Sequence, residues 1–294
     1  MSNPVIQAQG LGKRIGGREV LRDVSVAVSV GQVVGVLGKN GAGKSTLLDV
    51  LLGFSLPSTG HCTVQGQDSV CLPAAVKAQI GFVPQQDELV GLLTGAQQLA
   101  FVASLHSEWD GALIARLARE WALPLHRRIS TLSGGERQKL AVLLALGHQP
   151  ALLVMDEPAS ALDPVARRQF MQEILEIAGD PRRTVVYASH QVGDLERVAN
   201  QLWILREGRL CWAGEVDALK ESVVRLHLRS SRPLKLPPVL ASTLSVLVQG
   251  GYAQLVLKDW DDTQLPGVAD WAGNEVQIEV EPLGLEDIFL ALHA

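Results

Sequence analysis

Apolar and polar residues change their rhythm several times along this chain, and each rhythm predicts a different element. Val24, Val26, Val28 and Val30 alternate with Ser25, Ala27 and Ser29, the twofold period of a half-buried strand. Residues 5–30 as a whole read as short strands with turns at Gly10-Leu11-Gly12 and Gly16-Gly17. Other apolar runs are short and unbroken: Val33–Leu37, residues 62–64, Ile80–Val83, residues 151–155 and Thr184–Ser189. Runs of that length suit strands of a buried sheet. Leu47, Leu48, Val50, Leu51 and Leu52 suit a buried helix, and so do Leu140, Val142, Leu143, Leu144 and Leu146. From about Leu93 to Trp121 the pattern becomes helical, with Leu113, Leu117 and Trp121 four apart. Strands and helices interleaved in this way predict an α/β fold with a helical insertion at about 90–148.

Beyond about Lys220 the rhythm shifts again, which predicts a division into residues 1–220 and a small α+β accessory domain, 221–294. Residues 229–238 read as a linker, rich in Pro, Ser and Arg. Gly250-Gly251 between two apolar runs is the two-residue hairpin signal. Val276, Ile278 and Val280 alternate as an outer strand, and Leu285, Ile288, Phe289 and Leu292 mark one face of a terminal helix.

Composition narrows the function classes. Hydrophobic residues make up 47% and charged ones 19% of 294 residues, enough for a large core. A net charge of −5 argues against general nucleic-acid binding, which favours a basic face. Two long uncharged stretches, residues 89–107 and 236–257, are broken by Gly, Gln and Pro too often to span a bilayer. The N-terminal Met1-Ser2-Asn3-Pro4 lacks signal-peptide character, so a cytoplasmic location is expected. Cys62, Cys71 and Cys211 show no metal spacing and are expected to be reduced thiols.

The chemistry concentrates after the strands. Gly38-Lys39-Asn40-Gly41-Ala42-Gly43-Lys44-Ser45-Thr46 fits G-x-x-x-x-G-K-[ST] between a strand and a helix. Gly38, Gly41 and Gly43 let backbone N–H groups turn toward phosphate oxygens with no Cβ in the way. The helix starting near Lys44 offers unpaired N–H groups and its positive dipole end. Lys44 is expected to reach the β- and γ-phosphates, and the Ser45 hydroxyl to ligate Mg²⁺. The ligand expected is therefore a nucleoside triphosphate. A second anion-binding helix start is predicted at Ser133-Gly134-Gly135-Glu136, with Ser133 as N-cap; taken alone, the segment also fits an ordinary capped helix. Asp156-Glu157 follow the apolar run 151–155, where Asp156 can face Mg²⁺ and Glu157 can polarise a water; an exposed acidic turn has the same pattern. Asp163 before Pro164 predicts a helix to about Ala178. His190, just past the last of these strands, is a candidate γ-phosphate sensor.

These motifs occur in the order of an ATP-binding cassette (ABC) ATPase: the phosphate loop, Gln85, Leu132-Ser133-Gly134-Gly135-Glu136, Met155-Asp156-Glu157-Pro158, Ser160-Ala161-Leu162-Asp163 and Ser189-His190. Over about residues 3–220 the chain resembles the nucleotide-binding subunit of an ABC transporter. The resemblance implies a P-loop fold of ABC type, with a mixed sheet, an antiparallel β subdomain and a helical subdomain. It implies MgATP hydrolysis, with Lys44, Gln85, Glu157 and His190 as catalytic residues and Ser45, Gln85 and Asp156 around the metal. It also implies a head-to-tail dimer, in which Ser133 and Gly135 of one copy close over ATP held by the other, with Asp163 at the seam. Gln85 would sit at the junction with a separate membrane permease, placing the chain peripherally on the inner membrane face. The ending Leu285-Glu286-Asp287-Ile288-Phe289-Leu290 resembles the tail of export-type members. The competing expectation, a soluble cassette ATPase acting on ribosomes or DNA, fits poorly with one acidic cassette lacking a coiled-coil insertion. Three departures stand out: Glu136 where Gln is usual, Ala159 and Ala161 where Thr and Gly are usual, and Ile15 where an aromatic stacks on adenine. The last predicts weakened base selectivity.

Overall fold

Strand order, more than strand sequence, explains why residues far apart along the chain meet. The computed structural model describes residues 4–86, 88–234, 242–272 and 276–293. In chain order the first elements are β1 (Ile6–Ile15), β2 (Arg18–Val28), β3 (Val33–Leu37), α1 (Lys44–Leu51), β4 (Thr59–Val64), β5 (Gln67–Asp68), α2 (Ala74–Lys77) and β6 (Ile80–Val83). Then come α3 (Gly95–Ala103), α4 (Gly111–Glu120), α5 (Gly134–Leu146), β7 (Leu152–Asp156), α6 (Pro164–Ala178), β8 (Thr184–Ser189), α7 (Val192–Val198), β9 (Gln201–Arg206) and β10 (Arg209–Glu215). The chain ends with α8 (Val216–Ser222), β11 (Val224–Ser230), β12 (Thr243–Gln249), β13 (Tyr252–Leu257), α9 (Leu265–Ala272), β14 (Val276–Pro282) and α10 (Leu285–Leu292).

Two sheets build the larger of two compact units, which divide between Ala213 and Gly214. Lys220 falls in α8, inside the second unit. The first sheet has the order β2-β1-β4-β5, and the second β10-β9-β3-β8-β7-β6. In the first, β1 pairs antiparallel with both β2 and β4. The β1–β2 connection is Gly16-Gly17, both at positive φ, as a tight hairpin demands. In the second, β9, β3, β8, β7 and β6 run parallel, and every residue of β3, β7 and β8 is buried. Strands covered on both faces have no polar face to alternate, which is why their sequences are unbroken apolar runs. One core of buried side chains joins the two sheets around α1, with Leu47, Leu48, Val50 and Leu51 meeting Ile6, Leu11, Val24, Leu152 and Val154.

Register sets the working edge. Leu37 pairs with Ser189, Asp156 with Ala188, and Val83 with Met155. The segments beginning at Gly38, Gln85, Glu157 and His190 therefore all leave the same carboxyl edge of the parallel sheet, where open α/β sheets take their ligands.

Some expectations needed correction. The alternation through Val30 stops at Val28, because Gly31 turns the chain at φ 80° and leaves Val30 exposed. The helical stretch from Leu93 to Trp121 is two helices, α3 and α4, because Thr94 with Gln97 and then Asp110 each start a new one. The expected linker begins too early: Arg229 and Ser230 complete β11, whose Val224, Leu226 and Leu228 are buried in alternation. Leu236-Pro237-Pro238 of that linker lies outside the described residues. The second unit is a four-stranded antiparallel sheet, β12-β13-β11-β14, with Val268 and Trp271 of α9 in its apolar core. Gly250-Gly251 joins β12 to β13, β14 is an edge strand, and Leu285, Ile288 and Phe289 form the buried side of α10.

Candidate active site

The loop between β3 and α1 wraps a cavity of about 200 Å³ lined by Asn40, Gly41, Gly43, Lys44, Ser45, Thr46, Gln85, Glu157 and Val20. Gly43 is the N-cap of α1 at φ 105° and offers no side chain to its first-turn N–H groups. A Cβ there would also meet the Val20 carbonyl at 3.0 Å, so two independent constraints require glycine. The Lys44 ammonium is buried and donates to the Gly38 carbonyl at 2.8 Å. It lies 3.2 Å from Glu157 Oε1, an ion pair without hydrogen-bond alignment.

Glu157 carries the strain of the site. It turns the chain after β7 with φ 49°, a left-handed conformation that costs a non-glycine residue about 1–3 kcal/mol. Three contacts fix it there. Its N–H donates to the Ala188 carbonyl at 2.9 Å, Oε1 faces Lys44, and Oε2 lies 2.8 Å from His190 Nδ1. The structure thus joins a helix start, a strand end and a loop histidine through one buried carboxylate.

Asp156, beside it, is 4% exposed, and burial pushes its carboxyl above the usual range, with Glu157 adding to the effect and a Ser45 hydrogen bond opposing it. Its Oδ1 is buried with no hydrogen-bond partner. With Asp156 and Glu157 ionised, Lys44 offsets one carboxylate, and a triphosphate would add further negative charge. An orphaned carboxylate oxygen beside the Ser45 hydroxyl is what a hard divalent cation takes as ligands, so the residues fit Mg²⁺ arriving with the nucleotide.

Of the residues singled out in the sequence, Lys44, Ser45, Gln85, Asp156, Glu157 and His190 gather at this edge. Lys39 also belongs to the loop, its carbonyl 3.5 Å from the Lys44 ammonium, and Gly38 and Ala42 pack closely under it. Ser133, Gly134, Gly135 and Glu136 do not line the cavity. They start α5 with a capping box: Ser133 Oγ accepts from Glu136 N–H at 3.2 Å, and Glu136 Oε2 accepts from Ser133 N–H at 2.6 Å. Gly135 lies close against the Ala161 carbonyl, which a Cβ would meet at 3.0 Å. Asp163 caps α6 by accepting from Val165 and Ala166 N–H. Ile15 is 54% exposed at the end of β1.

Sequence reasoning passed over a second cavity. A groove of about 610 Å³ runs from Ser45, Asp156 and Gln85 outward past Phe82, Leu89 and Leu144 to Phe54. Its apolar members come from separate elements, so no local motif marks it. Phe54 and Phe82 have ring centroids 5.1 Å apart, but in the sequence Phe82 had only a place in the Ile80–Val83 strand and Phe54 had none. Val20 was likewise unmarked, since β2 reaches the phosphate loop only through the fold.

Comparison with known proteins identifies the family. Residues 21–160 match the ABC transporter family. The ABC transporter ATP-binding protein YtrB of Bacillus subtilis is 26% identical over 98% of this chain and 97% of its own length. The thiamine import ATP-binding protein ThiQ of Escherichia coli is 32% identical over 66% of this chain and 86% of its own. A solved ATP-binding subunit of an ABC transporter superposes with TM-score 0.65 at 27% identity, over 74% of this chain and 92% of that one. A bacterial Atm1-family ABC exporter with ATP bound also reaches TM-score 0.65, at 25% identity, over 75% of this chain and 40% of that one. The chain belongs to the ABC transporter family as an ATP-binding subunit and is an ATP hydrolase with the P-loop fold of that family.

Proposed function

We propose that this ATPase works as a pair of identical copies and drives a separate integral-membrane permease, in the direction of export. The observation that carries the permease reading is the groove, because Gln85 and Ser45 line both it and the phosphate cavity. A helical segment of a membrane protein seated between Phe54, Phe82 and Leu144 would touch the same glutamine that faces the nucleotide. Among the described residues no helix is long and apolar enough to cross a membrane. Export rests on the Leu285–Leu290 ending and on the relative named a probable multidrug ATP-binding protein, YbhF of Escherichia coli, which is 32% identical over 88% of this chain and 47% of its own length. In this reading the second unit is an accessory domain.

The chemistry follows from the cavity. Backbone N–H groups of the loop and Lys44 hold the phosphates, and Ser45 with Asp156 would hold Mg²⁺, with Gln85 beside them. That ion, when bound, neutralises charge on the phosphate oxygens and sharpens the electrophile. Glu157 orients a water and takes its proton as the γ-phosphoryl bond breaks. His190 holds Glu157 through Nδ1 and leaves Nε2 for the phosphate. Nothing in this set reads the base, and with Ile15 at the usual aromatic position, GTP is expected to compete with ATP to within roughly tenfold.

Phe54 is 64% exposed, so Phe54→Asp can test the groove without disturbing a core. Tagged wild-type chain taken from detergent-solubilised membranes should carry one integral-membrane protein. Phe54→Asp should lose it, while the isolated variant hydrolyses ATP at the wild-type rate and shows the same competition by GTP. A wild-type chain that brings down ribosomes or DNA and no membrane protein would favour the soluble alternative.

A further inference from the structure

His190 occupies a joint between two elements, and the joint is anchored on both sides by one carboxylate. β8 ends at Ser189 and α7 begins at Val192, so His190 and Gln191 are the connection. Three residues before His190, the buried Tyr187 hydroxyl donates to Asp194 Oδ2 at 3.2 Å. Four residues after it, Asp194 in the first turn of α7 receives Arg167 Nε at 2.9 Å on Oδ1 and 3.1 Å on Oδ2, and Arg167 Nη2 on Oδ2 as well. Arg167 is in the first turn of α6, where its N–H bonds the carbonyl of the cap residue Asp163. Asp194 is 9% exposed and Tyr187 1% exposed. Three elements are therefore tied at one buried carboxylate, and two of them, β8 and α7, flank His190 directly.

An ion pair this deep is weak evidence for stability, because apolar residues of similar volume often replace such pairs without loss. What it does supply is geometry: a bidentate guanidinium fixes both distance and plane. Burial raises the Tyr187 phenol well above its ordinary value, so it remains a donor and holds the second side of the carboxylate. Glu157 is close enough to act electrostatically on both Tyr187 and Arg167.

We propose that Arg167 and Asp194 are positioning residues for hydrolysis: anchored by Tyr187, their pair holds the His190 joint so that Nδ1 stays on Glu157. This rests on the reading of His190 and Glu157 as acting groups in turnover. The network also couples the start of α6, at Asp163, to the same joint.

The test uses the purified full chain with steady-state ATP hydrolysis, fluorescent-ATP titration and melting temperature. Arg167→Met with Asp194→Leu replaces the pair by apolar volume. The double variant leaves the buried Tyr187 hydroxyl without its acceptor, so it should melt a little below the wild type, yet bind nucleotide within about twofold of it, with KM little changed. Its kcat should fall about ten- to a hundredfold, the effect of a small misplacement at a catalytic group. Arg167→Lys, which keeps the charge and loses the fork, should recover part of the rate. In a His190→Ala background the double variant should lose little more, since both changes act through one joint. Multiplying losses in that background would overturn the proposal alone, as would wild-type kcat in the folded double variant. A fall in kcat matched by equal falls in melting temperature and nucleotide affinity would make the pair merely structural, and overturn it too. A wild-type rate in His190→Ala by itself would overturn the underlying reading of His190 and, with it, the positioning role.

Discussion

The two helix starts that the sequence marks for anions, those of α1 and α5, are built in opposite ways. α1 begins behind Gly43, which has no side chain to cap it and a backbone held at positive φ, and its first turn carries no acid. α5 begins behind Ser133, whose hydroxyl and the Glu136 carboxylate satisfy two backbone donors reciprocally, so its first turn carries its own negative charge. An uncapped start leaves its N–H groups for a ligand, whereas a capping box stabilises the helix with no ligand at all. The difference teaches that matching helix-start motifs need not share a function. α1 has the construction of a resident phosphate site. α5 has that of a self-sufficient helix, with Gly135 close against the Ala161 carbonyl of its own chain.

The largest expected effect tests the α1 half. Glu157→Gln keeps the shape next to Lys44 and His190 but removes the carboxylate proposed to accept the water's proton. Turnover should fall by about a hundredfold or more, since positioned bases contribute about 10²–10⁴-fold. Fluorescent-ATP titration should still show binding, and the variant should elute as a dimer with MgATP. Phosphate release at the wild-type rate would remove Glu157 from the mechanism.

A smaller change sharpens the α5 half. Glu136→Gln can keep the capping box, because glutamine serves at that position, while it removes the negative charge. Ser133's N–H and hydroxyl hold the Glu136 carboxyl below its usual range, so at neutral pH it is ionised where a partner's phosphates would arrive. In a Glu157→Gln background, MgATP-driven dimerisation should tighten about threefold, roughly the scale of one exposed charge contact. Sedimentation showing no change, or weaker association, would mean that phosphate never approaches this turn.

The smallest effect lies just past the far end of α5. His148 stacks on His106 with ring centroids 4.2 Å apart and places Nε2 3.2 Å from the Ile80 carbonyl. Burial and the neighbouring His106 hold the His148 imidazole below its ordinary 6.5, with the Ile80 contact opposing them. The unfolded chain then takes up the proton more readily than the folded one. Stability is intact above about pH 6.5 and declines as the pH falls through the depressed folded value. His148→Gln retains a donor for Ile80 and cannot titrate. Between pH 7.5 and 5.5 its melting temperature should fall a little less than that of the wild type, and identical pH dependence would exclude His148 as a contributor.

Glycines, caps and unbroken apolar runs carry their structural meaning locally, which is why the motifs were readable before any fold was known. Gly43 sits in a glycine-rich loop motif, Asp163-Pro164 starts a helix on its own chemistry, and Val33–Leu37 has the length and unbroken apolar character of an inner strand. Helix and strand boundaries were less legible where one rhythm ran into another. Arg229-Ser230 looked like linker because nothing in those two residues shows that β13 and β14 pair with them.

By itself, then, the sequence determined which residues could do phosphate chemistry and that each would stand at the end of a strand or the start of a helix. Those properties depend on neighbours within a few positions. Only the tertiary structure decided that β8 lies between β3 and β7, and with it that His190 meets Glu157 and that Glu157 meets Lys44. The same strand order carried Gln85 to the border of a groove floored by Asp156 and walled by Phe82 and Leu144, and closed Arg167, Asp194 and Tyr187 on one another. The reason is physical. Local motifs answer to backbone conformation and short-range hydrogen bonding, while these contacts depend on which elements pack side by side and, for β3 beside β8, on register between strands distant in the chain, which burial of the whole sheet selects.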